Sequence, residues 1–253
     1  MIVYERLDMI TFNELAWAAL FNYYKTNGDK RYMKLMADKS FVSRLRTNPS
    51  EIEPEELEQK LILDHVNVIN FDLLMGCRLA ENILEKVTKL QPEIKAIQPY
   101  SIIDIDLDDT RIIECIQTIY RQLSSVNGLW LTGVSKIAHV LNDQLLPIMG
   151  LDVIDRFPQI KEEGYKGVTP WLKQIHLDAE SVIRNFEEQG HSGSPNAFLS
   201  ESLNYTAKGV IKSLVKFLDE YYWLYYGEQL PIPPKWVPTF KELGYVVPCL
   251  EVN

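Results

Sequence analysis

Residues Gly128–Ile154, GLWLTGVSKIAHVLNDQLLPIMGLDVI, decide how this chain is read. Thr132 stands where an N-cap belongs, because its hydroxyl can accept from an unpaired first-turn N–H. Val134, Ile137, Ala138 and Leu141 follow at i, i+3, i+4 and i+7, the spacing of one buried helical stripe. Ser135, Lys136 and His139 fall together on the other side, since residues three and four apart are helix neighbours. That second face is expected to meet solvent. Asn142 is expected to end the helix, as a residue that tolerates the left-handed conformation. A short turn and the apolar run Leu145-Leu146-Pro147-Ile148 close the stretch.

Outward from this centre the same helical spacing recurs. Upstream, Ile112, Ile116, Ile119 and Leu123 define a helix from about Thr110, and Leu79, Ile83, Val87 and Leu90 another, capped at Asn70. Between them, SIIDIDLDD (101–109) alternates apolar and acidic residues and reads as an extended lead-in, with a short strand as the alternative. Pro54 at a first helical turn with Glu55 and Glu56 marks one more start. A further helix is expected from about Asp29 to Arg46, and a capping box at Thr11 and Glu14 opens the first. Downstream, Thr169-Pro170 begins a helix carrying Leu172, Ile175, Ala179, Val182 and Phe186. GHSGSPNA (190–197) reads as a flexible loop, and a last long helix is expected from about Asn204 to the aromatic Tyr226. Pro231-Ile232-Pro233-Pro234 cannot be helical, and Tyr245–Val252 can add an edge strand.

The expected fold is therefore all-α, an orthogonal bundle of about seven to nine helices. It forms a single helical domain over 1–253, with two lobes (about 1–100 and 101–253) as a variant.

Composition bounds the function. A net charge of −9 disfavours a broad basic surface of the kind that dominates nucleic-acid affinity, although a local basic strip is compatible with it. The odd, widely spaced Cys77, Cys115 and Cys249 fit a reducing compartment, and no zinc spacing is present. Glu5, Asp8 and Glu14 interrupt the first apolar residues, and no apolar run reaches membrane-spanning length. The expectation is a cytoplasmic protein without metal, cofactor or membrane partner. No phosphate-binding loop, dinucleotide fingerprint or serine-nucleophile elbow occurs.

Gly133-Val134-Ser135-Lys136, followed by Pro147-Ile148, resembles the hairpin of the helix-hairpin-helix DNA glycosylase superfamily. That family has a Gly-Val-Gly-x-Lys turn, a helix and a Pro-Val-Asp segment. The stretch is also similar to a group of prokaryotic helical proteins of uncharacterised activity, with a Ser-Lys-x-x-His pattern and then Pro-Ile-Trp-Asp. The resemblance covers about 25 residues, and more loosely Asp109 to Gln189. It implies a helix-hairpin-helix-like centre that binds DNA, RNA or a nucleotide. Lys136 would contact phosphate, Gly133 and Ser135 would position it, and His139 and Arg156 would assist. Three departures matter. Ser135 replaces the second hairpin glycine, Lys136 comes one residue early, and Met149-Gly150 occupies the place of the catalytic carboxylate, leaving Asp152 as the nearest acid. Binding without intact glycosylase chemistry is thus the expectation. A glycosylase-like enzyme using Lys136 with Asp152, and a protein-interaction or oligomerisation module, are the alternatives.

Other clusters read more plainly. Asp104, Asp106, Asp108 and Asp109 lack the glycine and glutamate of a calcium loop. The run Tyr221-Tyr222-Trp223-Leu224-Tyr225-Tyr226 is expected to be a buried helix end or a subunit contact. Trp130 and Trp171 are expected in the core, and His191 in solvent.

Overall fold

Thr11 and Glu14 form the capping box that opens α1 (Phe12–Thr26): Thr11 N–H donates to Glu14 Oε2 at 2.7 Å, and Glu14 N–H to Thr11 Oγ1 at 3.3 Å. The protein is described from a computed structural model covering residues 9–26, 29–66, 76–157, 160 and 163–228. The expectations for residues 1–8, Asn70, the Pro231–Pro234 stretch, Tyr245–Val252 and Cys249 lie outside the described residues, as does the Cys77 side chain.

After α1 come α2 (Lys30–Ala37), α3 (Lys39–Thr47) and α4 (Pro54–Leu57), which runs directly into a π-helical segment, Glu58–Val66. Then follow α5 (Gly76–Lys89), α6 (Gln91–Ile97), α7 (Thr110–Ser124), α8 (Leu131–Leu141) and α9 (Leu151–Arg156). The chain continues through α10 (Val168–Glu188), α11 (Pro195–Ser202) and α12 (Leu214–Tyr222), which is extended by a second π-helical segment, Trp223–Gly227. No strand occurs among the described residues, and 101–109 is a series of turns. The all-α class holds, and the helices outnumber the seven to nine expected.

Local chemistry explains the extra breaks. The helix expected over 29–46 divides at Asp38, whose carboxylate accepts from Phe41 N–H at 3.1 Å and so caps α3. α5 ends at Lys89, and Pro92 sits in the first turn of α6, where its missing N–H costs nothing. The long last helix is shorter at its start, because Thr206–Lys208 forms a 3-10 turn closed by Gly209 at φ 74°. Within 190–197, expected as a flexible loop, Pro195 opens α11 and His191 stacks on Phe186 with ring centroids 4.8 Å apart.

One hydrophobic cluster runs from Ile10 to Tyr226 and takes in every expected stripe. α8 lies inside it, against α3, α7 and the Glu58–Val66 segment. Its position corrects three expectations. The N-cap is Trp130, in extended conformation, rather than Thr132, and Trp130 is 76% exposed rather than core. Asn142 ends α8 with φ −148°, not left-handed, and its side-chain amide donates to Ile97 O and Tyr100 O at 2.8 and 3.1 Å. The face carrying Ser135 and His139 is buried as completely as the stripe opposite. Ser135 and His139 therefore meet protein instead of water, while Leu131, Thr132 and Lys136 keep partial exposure on α8.

Candidate functional site

The residues singled out on α8 separate once their partners are known. Ser135 is fully buried; its Oγ donates to Thr132 O at 2.9 Å and accepts from Met149 N–H at 2.8 Å, tying α8 to the run after Pro147. His139, also fully buried, sits 2.6 Å from Leu146 O through Nδ1 and 3.3 Å from the Tyr32 hydroxyl through Nε2. A Cβ on Gly133 would come within 2.8 Å of Leu129 Cδ1 and 3.1 Å of Val66 Cγ1. This glycine therefore makes room for the Leu129 and Val66 side chains against α8. At all three positions the contacts described are to protein, and the solvent-facing side expected for Ser135 and His139 is not found. Asp152 and Arg156 stand on α9, with side chains outside the described residues.

Lys136 is different. It lines a cleft of about 400 Å³, and its Nζ donates to the carbonyls of His65 and Val66 at 3.1 and 3.4 Å. No carboxylate lies within ion-pair distance of it among the described residues. Burial, with the nearby Lys216 ammonium, pushes its pKa down. Thr132, one turn earlier on α8, lines the same cleft, as do His65 and Arg31. Thr132 Oγ1 and His65 Nε2 are buried without a hydrogen-bond partner among the described residues. Unpaired buried polar atoms are uncommon and concentrate where a ligand or water completes the structure.

Across the cleft stands a charge network that the sequence reading missed. α12 is buried on all sides, yet it carries Lys216, Asp219 and Glu220 at i, i+3 and i+4, the spacing that puts them on one face. Lys216 Nζ lies 2.7 Å from Asp219 Oδ2, 3.0 Å from Asp29 Oδ2 and 3.6 Å from Glu220 Oε1. Lys212, with no exposed surface, pairs with Glu220 at 2.6 Å, and its Nζ is 4.3 Å from the Tyr205 ring centroid. Asp29 holds a left-handed backbone (φ 53°) at the start of α2, fixed by its ion pair with Lys216.

The electrostatics follow from this crowding. Burial opposes ionisation of Asp29, but Lys216 and Lys212 outweigh it and hold the carboxyl at about 2. Burial likewise works against charge on Lys216, yet Asp219, Asp29 and Glu220 keep its pKa well above the usual lysine value. Asp219 is pushed up, chiefly by burial, against the pull of Lys216. Burial, Lys136 and Lys216 together depress His65 to about 3, so its ring is neutral.

Asp29, Lys216 and Asp219 line the same cleft as Lys136, as do Ile148, Leu151 and Trp223. Both π-helical segments border it, through His65 in the first and Trp223 in the second. π-helical geometry is rare and recurs at functional sites. The signal for the network was present in the sequence: Lys212, Lys216, Asp219 and Glu220 are spaced by four, three and one in an otherwise apolar and aromatic segment. The neighbouring aromatic run, 221–226, is the more conspicuous pattern. Of its residues, Tyr221, Tyr222, Leu224 and Tyr226 are core, and Trp223 and Tyr225 are half-buried.

No family model, curated protein or solved structure matches this chain. Among the described residues no group of His, Cys, Asp and Glu is placed to hold a metal ion, and no helix is long and apolar enough to cross a membrane.

Proposed function

We propose that this helical protein binds a phosphate-bearing ligand, a nucleotide or part of a nucleic acid, in the cleft beside α8, with Lys136 as the phosphate contact. The observation that carries this reading is the state of Lys136: a cleft-lining ammonium that donates to two backbone carbonyls and has no carboxylate within ion-pair distance among the described residues. A partly desolvated cation of this kind gains most from an anion that brings its own charge. Arg31 adds a second cation on the lining. The reading keeps the phosphate role that the helix-hairpin-helix resemblance implies for Lys136 and gives up those of Gly133, Ser135 and His139.

The test is fluorescence-anisotropy titration of labelled single- and double-stranded oligonucleotides and of a labelled nucleotide, at low and moderate salt, with Lys136→Ala in parallel. Affinity is expected to fall with salt and to drop about tenfold or more in the variant, the loss of one charge-assisted contact. Equal affinity of the two proteins for every probe removes Lys136 from the site.

A second reading has its own support. A lysine whose pKa is lowered by burial and by a neighbouring ammonium is a better nucleophile than a solvated one. Asp219 and Asp29 place carboxyl groups in the same cleft, where Met149-Gly150 supplies none. A glycosylase-like reaction through Lys136 would leave a covalent adduct with abasic DNA on borohydride reduction; no adduct in wild type under conditions that support binding rules out the Schiff-base route. The interaction-module reading is weakened, because most of the aromatic run on which it rested lies in the core.

A further inference from the structure

We infer that the cleft is built for one nucleoside monophosphate, free or as a terminal nucleotide, and discriminates against longer phosphate chains. The inference rests on the phosphate-binding role proposed for Lys136 and goes beyond it in naming what the rest of the ligand is. Three observations carry it.

The first is size. At about 400 Å³ the cleft lies near the lower end of the roughly 300–1,000 Å³ of small-molecule sites, which suits a single nucleotide. The second is that the lining is of two kinds. Lys136, Arg31 and Thr132 supply donors of the type a phosphate needs, while Trp223, Leu151 and Ile148 supply apolar surface. Leu151 is 64% exposed, and the Trp223 ring is half-buried with Lys25 Nζ 5.2 Å from its centroid. An indole left partly open beside exposed aliphatic carbon suits a flat base, which gains stacking contact whatever its sequence identity. A sugar phosphate alone leaves that surface uncovered.

The third observation is charge. Arg31, Lys136 and Lys216 meet Asp29 and Asp219 on the lining, a surplus of one positive charge. Lys216 is already engaged by carboxylates at 2.7 and 3.0 Å, so Arg31 and Lys136 remain for the ligand. A phosphate monoester carries about −1.5 to −2 at neutral pH, which these two cations match. Further phosphates add negative charge beside Asp29 and Asp219 with no cation among the described lining residues to meet it. In a chain of net charge −9 the wider field adds to that penalty.

The test is calorimetric titration of the full chain at fixed ionic strength, without divalent cations, using ribose 5-phosphate, adenosine, adenosine monophosphate and adenosine triphosphate. Adenosine monophosphate is expected to bind about tenfold or more tightly than each of the others. Trp223→Leu is expected to bring it down to the affinity of ribose 5-phosphate and to leave ribose 5-phosphate unchanged. Circular dichroism establishes that the variant is folded; if it is not, the ligand series with wild type decides alone. Ribose 5-phosphate binding as tightly as the monophosphate overturns the inference, because the base is then not held. A tighter triphosphate overturns it as well. In either case, ribose 5-phosphate affinity that is lost in Lys136→Ala leaves the underlying reading standing. No affinity for any of the phosphate compounds overturns both.

Discussion

Ser135 has two hydrogen bonds and no surface, so its replacement by alanine tests a structural role directly. Ser135→Ala leaves Met149 N–H buried without an acceptor, at a cost of about 1–3 kcal/mol. Denaturant unfolding is expected to show that loss while ligand affinity stays unchanged; the opposite pattern would return Ser135 to the site. Gly133→Ala sets two effects against each other. Alanine favours a helix over glycine by about 1 kcal/mol, whereas a Cβ at 2.8 Å from Leu129 and 3.1 Å from Val66 over-packs the helix contact by about 1–3 kcal/mol. The predicted net effect is a lower melting temperature, and a higher one would mean that Leu129 yields freely. At this scale the sequence misled for a physical reason. Periodicity locates a buried stripe, but it cannot say that neighbouring helices also cover the far side. The sign of full burial was composition: α8 has one charged residue, Lys136, in eleven.

Among the elements, α12 has the least obvious chemistry. A helix with every residue buried yet bearing a lysine and two acids is stable only because each charge finds a partner. Removing one partner is therefore severe. Lys212→Met is predicted to destabilise by about 3–5 kcal/mol, since it strips Glu220 of its closest cation, and Lys212→Met with Glu220→Leu is predicted to recover much of the loss. Chemical denaturation of the two variants measures both; a double variant no more stable than the single one would show that Glu220 is anchored mainly through Lys216. The helices that were legible, α5, α7, α8 and α10, are those with long apolar stripes; the start expected at about Thr110 is made by Asp109, whose side chain accepts from Arg111 N–H at 3.0 Å. Starts set by tertiary contact were not legible. Thr132 has the chemistry of a cap but its hydroxyl has no partner among the described residues, and α10 begins at Val168 while Thr169 Oγ1 accepts from Gln117. No local pattern shows that Asp29, His65, Lys136 and Asp219 meet in one cleft, because they come from four separate segments.

For the molecule as a whole, two buried neutral histidines make stability fall in acid. His65 and His139 are depressed to about 3 and about 4 in the folded state, chiefly by burial, against an ordinary value of 6.5. The unfolded chain then binds protons that the folded one refuses. Their contribution is fully present above pH 6.5 and is lost as pH falls toward 4 and then 3. Each removes up to about 1.4 kcal/mol per pH unit within that window. Stability measured by denaturant between pH 7 and 4.5 is predicted to fall with that slope, and His65→Gln to flatten it by about half. An unchanged slope would place the titrating groups elsewhere.

The packing of α1 carries a consequence for how this chain is born. Its partners are late in the sequence: Phe12 N–H donates to Asn185 Oδ1 at 3.0 Å, Phe12 stacks edge-on to Phe186 at 4.7 Å, and α12 covers the same helix. A ribosome adding about 5–20 residues per second needs about ten to forty seconds to pass from α1 to the end of α12. For most of that interval, until α10 is made, Phe12 lacks the Asn185 and Phe186 partners it has in the fold. The nascent chain thus emerges with its first helix waiting for its last, a state in which holding chaperones have the most to grip.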